Sequence, residues 1–399
     1  MQRDFLEMSR ILNISAMILN VIVLSAVIWI VVPAPFYNVW LFSVAASEWS
    51  LWFGALGLIG VVCSLFVRIF YGNGHLWIIS IILGSLAVII SLYPLISVIS
   101  TAREFNISLS LKQYFSGVWK ENNPAKIQTF TFAHLGETDL QLDVYSPSAD
   151  SINNGASVII VHGGSWNGGG RNDFPQWNRW LAEQGFTVFD IDYRLVQPNY
   201  LTATGDVKCA VRWVKENAAK FKISPERIAL LGRSAGAHLA LLAAYSADDA
   251  RFPASCIDEK ISEDVRAVIS FHAPTDLLWD FDNPANQSVI DGPTTLTNFL
   301  GGNPHESDEL RERFILASPV AHVDSATPPT LLIHGGQDQL VRRENMKFLA
   351  GKLTEANVPH ETLLIPYAQH GFDYNFNGWG AQTIKPVLLE FLRKNTNVK

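Results

Sequence analysis

The chain predicts an α/β fold, a mostly parallel sheet flanked by helices with an antiparallel N-terminal edge, preceded by three transmembrane helices. Three observations predict it. Of the 30 Lys and Arg and 37 Asp and Glu residues in 399, only six (Arg3, Asp4, Glu7, Arg10, Glu48 and Arg68) precede Arg103. After Pro124 short apolar runs alternate with longer helical stretches, the pattern of a sheet wrapped by helices. The first two of these segments alternate apolar and polar residues about Gly136, as an exposed-edge hairpin does.

Residues 1–102 read as a membrane domain. The run from Ile11 to Val32 carries no charge, and at about 1.5 Å per residue such a helix crosses a hydrocarbon core of about 30 Å. Further spans are predicted over 49–67 and 76–101, the last with Pro94 inside it. The first run is too long for a signal-peptide core, no small-x-small cleavage site follows it, and more spans come after. Trp29, Tyr37, Trp40, Trp49, Trp52 and Trp77 lie near the run ends, where interfacial aromatics belong. Arg3 and Arg10 before the first span and Arg68 between the second and third place the N-terminus in the cytoplasm, against the pull of Arg103, Lys112 and Lys120. The expected product is a multi-pass integral membrane protein whose large domain is extracytoplasmic. Residues 103–123 mix Phe, Ile and Leu with Lys and Glu, which suits an amphipathic connector on the bilayer surface or a plain linker.

Residues 124–399 read as one α/β domain. Lys126 to His134 and Asp139 to Tyr145 form the hairpin. The runs Ser157 to Val161, Phe186 to Ile191, Ile228 to Leu231, Val265 to Phe271, Thr330 to Ile333 and Glu361 to Ile365 are apolar throughout, as strands buried on both faces are. Helices are expected between them, at Asp206 to Lys220 and Ala235 to Ala247. Residues 277–326 contain no clear strand and are expected to be a lid or pocket wall.

Composition removes several function classes. The net charge is -7 and no basic run occurs, which argues against a nucleic-acid partner. Cys63, Cys209 and Cys256 give neither a disulfide framework nor a paired zinc spacing. The histidines outside the motifs (His75, His134, His305, His322, His360) are scattered, so no metal site and no cofactor are expected.

The chemistry sits in the loops after the predicted strands. Gly232-Arg233-Ser234-Ala235-Gly236 follows Ile228 to Leu231 and opens a helix. Glycines two residues either side of a serine let the chain turn sharply and push the hydroxyl out above the sheet. By chance the pattern arises only about 0.1 times in a chain of this length. A serine needs a base, and the base a carboxylate. Asp338 follows the strand ending at Ile333, and His370 the strand ending at Ile365. An acyl-transfer site also needs backbone N–H donors for the oxyanion. Gly163 and Gly164, in His162-Gly163-Gly164-Ser165-Trp166, and Ala235 are placed to supply them. His162 is expected to fix its loop and Trp166 to line the pocket or pack in the core, and both are candidates for substrate contact. Trp279, Phe281 and Phe299 are candidates for pocket lining or core packing. Asp276 is expected to cap a loop or line the pocket, with a role as the acid its alternative. Asp192 and Arg194 are expected to form an ion pair or cap.

On these stretches, with Asp192 to Leu195, Asp206 to Val214, Ala317-Ser318-Pro319 and His370-Gly371-Phe372, the chain from Lys126 onward resembles the α/β-hydrolase superfamily. The resemblance is to its esterase and lipase branch, which includes hormone-sensitive-lipase-like carboxylesterases, kynurenine formamidases and prenylcysteine methylesterases. It implies Ser234 as nucleophile, Asp338 as acid, His370 as base and Gly163, Gly164 and Ala235 as oxyanion donors. Ser165-Trp166 stands where a third glycine is common, which is closer to the formamidase and methylesterase form. None of residues 1–120 takes part in the resemblance.

The expected function is a membrane-anchored serine hydrolase of the carboxylesterase type, cleaving a small-molecule ester, lipid-like esters among them. Alternatives are an amidase or formamidase, an acyltransferase with the same triad, or a non-catalytic membrane-tethered binding module. No feature speaks to oligomeric state.

Overall fold

A computed structural model describes residues 2–71, 75–116, 127–147, 153–256 and 261–397. The expected domain boundary near Pro124, the end of the connector and Lys126 lie outside the described residues.

The N-terminal part is helical. Helix α1 (Gln2–Val27) runs into a 3-10 turn (Ile28–Ile30); α2 (Tyr37–Glu48), α3 (Ser50–Tyr71) and α4 (Leu76–Glu104) follow. Three stretches, Glu7–Ile30, Ser50–Phe70 and Leu76–Glu104, are long and apolar enough to cross a membrane. Pro94 continues α4 without ending it. Helix α2 was not expected. Its sequence is apolar but short, and turns of Pro33 and Pro35 precede it, so length alone concealed it.

Then come α5 (Leu111–Ser116), β1 (Ile127–Leu135), β2 (Thr138–Tyr145), β3 (Ser157–Val161), α6 (Pro175–Glu183), β4 (Thr187–Ile191), α7 (Tyr200–Glu216), α8 (Ala218–Phe221), β5 (Ile228–Arg233), α9 (Ala235–Tyr245) and β6 (Ala267–Phe271). The chain ends with α10 (Leu277–Asp282), α11 (Gly292–Leu300), α12 (Asp308–Leu316), β7 (Thr330–Gly335), α13 (Glu344–Glu355), β8 (His360–Ile365) and α14 (Trp379–Asn395).

The eight strands form one sheet in the order β1-β2-β4-β3-β5-β6-β7-β8. Strand β1 pairs antiparallel with β2, and β2 antiparallel with β4, while β3 to β8 are mutually parallel. Every residue of β3, β4, β5 and β6 is buried, because helices cover both faces. The region 277–326 is the three helices α10 to α12 with a 3-10 turn (Pro319–His322), not a loop.

Four local expectations need correction. Cys209 and Cys256 are joined by a disulfide, with Cα atoms 5.5 Å apart. Their separation of 47 residues gives no local signal; α7 and the segment after α9 meet only through the fold. Asp192 and Arg194 do not pair with each other: Arg171 takes Asp192, and Arg194 binds the buried Asp206 (Nη2 to Oδ1 2.6 Å). The helix expected from Asp206 begins six residues earlier and breaks at Asn217. The described part of the connector does not lie free: Tyr114 is buried and stacks on Trp379 with ring centroids 4.4 Å apart, and Phe115 meets Trp52. Its aromatic side is taken by protein.

Candidate active site

The turn between β5 and α9 presents Ser234 at φ 53°, ψ -121°. A non-glycine residue holds such an angle only when its surroundings enforce it. They do so by close approach. A Cβ on Gly232 would stand 2.2 Å from the Gly236 carbonyl oxygen, and one on Gly236 would stand 2.1 Å from that of His162. Neither position admits a side chain. Arg233, between them, is buried, pairs with Asp373 and lies over the Phe174 ring at 4.0 Å. Ala235 opens α9, whose N-terminal dipole favours developing negative charge nearby.

Asp338 and His370 come together from the loops after β7 and β8. His370 Nδ1 lies 2.8 Å from Asp338 Oδ2. The other Asp338 oxygen accepts the N–H groups of Leu340 (2.8 Å) and Val341 (3.0 Å), and His334 Nε2 stands 3.3 Å from Oδ2. Burial would raise this carboxyl, but His370 and His334 hold it well below the usual carboxylate range. It is therefore an anion that orients the His370 ring.

The His162 to Trp166 loop is fixed from beneath. His162 is buried, its Nδ1 is 2.7 Å from the Gly163 carbonyl, and its ring stacks on Tyr193 at 4.2 Å. Burial lowers its pKa, so the ring is neutral at pH 7. Gly164, Ser165 and Trp166 all have positive φ. The Gly163 Cα faces the serine turn closely enough that a Cβ there would touch Ser234 Cβ at 3.4 Å. Trp166 donates from Nε1 to His238 Nδ1 (3.2 Å) and stacks on Phe299 at 4.2 Å.

Ser234 opens into a cleft of about 570 Å³ including its mouth. Trp166, Pro274, Pro284, Ile290, Leu296 and Leu340 supply most of its apolar wall, with Ser165, Ala235, Asp280 and Val341. Trp166 is thus brought to the cleft, whereas His162 sits behind it. Phe299 backs Trp166 from the core; Trp279 packs on Phe348 and Phe281 on Phe314. Asp276 caps α10, accepting the Trp279 N–H at 3.0 Å.

Three neighbours of the candidate site escaped the sequence reading. His272, just after β6, lies with its ring centroid 4.1 Å from that of His370 and its Nε2 3.5 Å from Asp373. Burial and His370 lower its pKa to about 4, so it is neutral at pH 7. Burial would raise the Asp373 carboxyl, but Arg233 and His272 hold it down to about 2. Arg233, Asp373 and His272 therefore form a buried chain behind His370. The available signal was position: His272 follows a strand end, as Ser234 and Asp338 do, and Asp373 stands three residues beyond His370. Among the described residues, no group of three His, Cys, Asp or Glu side chains is arranged to hold a metal ion.

A parallel sheet in this order, with a serine turn after β5 and an Asp-His pair after β7 and β8, defines an α/β-hydrolase of the esterase and lipase branch. The chain belongs to the BD-FAE family, whose pattern matches residues 142–353, just over half of it. It is 30% identical over 230 residues to the esterase LipQ of Mycobacterium tuberculosis, covering 54% of this chain and 50% of that protein. It is 28% identical over 242 residues to the probable carboxylic ester hydrolase LipM of the same organism, covering 58% and 53%. The chain thus spans about half the length of the curated relatives it matches. Among solved structures, an esterase from the Planctomycetes species Thermogutta terrifontis superposes with a TM-score of 0.54 at 25% identity, covering 67% of this chain and 92% of that one. A truncated carbohydrate esterase from gut microbiota shares the fold, with a TM-score of 0.56 at 23% identity and coverage of 69% and 100%.

Proposed function

We propose that this chain is a membrane-anchored serine hydrolase that cleaves carboxylic esters through a Ser234, His370, Asp338 triad. The reading rests above all on the hydrogen bond between His370 and the buried, anionic Asp338, at the same sheet end as the strained Ser234 turn. The esterase names of the relatives support the reaction class. Ser234 Oγ attacks the ester carbonyl while His370 takes its proton, giving a tetrahedral oxyanion held by the N–H groups of Gly163, Gly164 and Ala235. Collapse breaks the C–O bond, and His370 returns the proton to the departing alcohol. Water then attacks the acyl-enzyme by the same route and frees the acid.

The three apolar helices are the anchor, and residues 124–399 stand on the extracytoplasmic side. The Cys209–Cys256 disulfide favours that side, since disulfides persist where the surroundings oxidise. Ser234→Ala is expected to lower p-nitrophenyl ester turnover by about 10³-fold or more, with thermal unfolding unchanged. Retention of most activity would remove Ser234 as nucleophile. Proteolysis of sealed vesicles tests the side separately.

A further inference from the structure

The segment that connects the first two long N-terminal helices packs against the loops beside the catalytic cleft. Three successive crossings bring the end of the first apolar stretch (Ile30), the start of the second (Ser50) and the end of the third (Glu104) to one membrane face. Residues 31–36 and α2 therefore lie at that face. Their contacts are with the loops that bear the acid and the base. Ala34 donates its N–H to Gln339 Oε1 (2.8 Å), and Asn286 Nδ2 donates to the Ala34 carbonyl (2.7 Å) and to Gln339 Oε1 (2.9 Å). Gln339 Nε2 in turn donates to Gln369 Oε1 at 3.1 Å. Gln339 adjoins Asp338 and Gln369 adjoins His370. Beside this polar seam, Ala34 and Trp40 bury themselves against Val289, with Val39, Val44 and Leu340 packed around them. Leu340 and Ile290 also line the cleft.

The outer side of the same segment is apolar and uncovered. Phe36 is 53% and Leu41 47% exposed, and Val31, Val32, Tyr37 and Phe42 are exposed with them. A water-facing rim would not carry six such side chains in twelve residues. At the membrane face they continue the apolar surface of the spans, and Leu340, packed against the same segment, is also part of the cleft wall. Most of the cleft lining is apolar, and among its described residues Asp280 is the one ionisable side chain, which suits an acyl chain.

From this continuity we propose that the substrate is an acyl ester of an amphiphile resident in the bilayer, its chain passing over Phe36 and Leu41 into the cleft while its head group stays at the water boundary. The proposal rests on the ester-hydrolase reading above and adds the substrate class and its route. The bonds made and broken are those of the hydrolysis already described, so the products are a fatty acid and a deacylated amphiphile.

The test uses the full chain reconstituted in phosphatidylcholine vesicles, assayed on a pyrene-labelled long-chain acylglycerol in the same bilayer and on soluble p-nitrophenyl butyrate. Phe36→Ser with Leu41→Ser alters only the exposed side of the rim. The expected result is turnover of both esters by the wild type, with the double variant losing about tenfold on the vesicle ester and keeping its rate on the soluble one. Turnover of the soluble ester alone overturns the proposal. So does a double variant that leaves vesicle turnover intact, or one that slows both esters equally. Cleavage of neither ester by the wild type marks the failure of the hydrolase reading itself, and this proposal falls with it.

Discussion

The helical part and the sheet part of this chain are packed inside out relative to each other. In the sheet domain the large apolar side chains, Val161, Ile159, Leu230 and Ile269 among them, are buried between the sheet and its helices. In the helical part the large apolar side chains face outward, Ile69 at 72% and Ile89 at 64% exposure. Its interior mixes an apolar cluster, Val23, Val27 and Ile30, with small and polar side chains: Asn20, Ser64, Ser80, Ser91 and Ala87 are buried. Asn20 Nδ2 donates to the Ser80 carbonyl (2.9 Å) and to its hydroxyl (3.0 Å), and Ser64 bonds the same hydroxyl at 2.7 Å. A Cβ on Gly60 would stand 2.1 Å from Asn20 Oδ1, so only glycine lets that amide reach across. Water drives the sheet domain together by expelling apolar surface. Lipid offers no such force between helices, which leaves close packing and hydrogen bonds to hold them. On the membrane-anchored reading proposed above, each half is built for a different solvent.

The largest effect expected of breaking this contrast lies in the half held by water. The Cys209–Cys256 disulfide closes a loop of 47 residues, and chain entropy assigns such a loop about 4 kcal/mol. Cys256→Ser should lower the unfolding free energy of the sheet domain by about that amount in a chemical denaturation series, and reductant should do the same to the wild type. An unchanged midpoint would mean that packing alone fixes α7 against the segment after α9.

Next comes a charge placed on the outer face of each half. Ile89→Asp, midway along α4, should cost about 2.5–3.5 kcal/mol of membrane insertion, read as the fraction of chains recovered in the membrane pellet. Val196→Asp, at a position 84% exposed in the sheet domain, should change stability by less than about 0.5 kcal/mol. Equal tolerance of both would refute the lipid-facing assignment of α4. Inside the bundle the effect is smaller: Asn20→Ala should lower thermal stability in detergent by about 1 kcal/mol while leaving ester turnover at 25 °C intact.

How far these features can be read from sequence follows from the range of each signal. Strands β3 to β8 are local apolar runs, and the three long apolar helices are local absences of charge, so both were legible as elements. Ser234, Asp338 and His370 stand out as candidates because each sits in a glycine-bearing loop directly after a strand, and the fold brings Asp338 and His370 within 2.8 Å of each other. The Cys209 pairing was not legible, nor was the exchange by which Arg171 and Asp206 take the partners expected within Asp192 and Arg194, because these contacts join segments far apart in the chain. The seam from Ala34 through Gln339 to Gln369 consists of one backbone group and two amides, residue types that carry no periodicity and no motif. His272 stood in plain view after β6, but a histidine after a strand acquires meaning only when the His370 ring is found against it.

The finest difference is between two carboxyls of the same site. Asp338 is anionic across the working range because His370 and His334 offset its burial. Asp280 lines the cleft with Oδ1 bonded to Asn345 Nδ2 (2.7 Å) and a buried Oδ2 without a hydrogen-bond partner among the described residues. Burial raises its pKa to about 8; Asp276 and Asp338 add to the rise, and Asn345 and Arg342 oppose it. The sign follows. Below pH 8 Asp280 is neutral and the cleft wall is apolar; as pH rises through 8 the wall gains a negative charge that an acyl chain must meet undressed of water. KM for a long-chain ester should therefore rise about fivefold between pH 7 and pH 9, equivalent to about 1 kcal/mol, while Asp280→Asn, neutral throughout, should hold KM flat over the same interval. A wild-type KM that does not change through pH 9 would show that Asp280 ionises elsewhere or stands clear of the bound chain. A KM that rises equally in both proteins would move the titration to another group of the site.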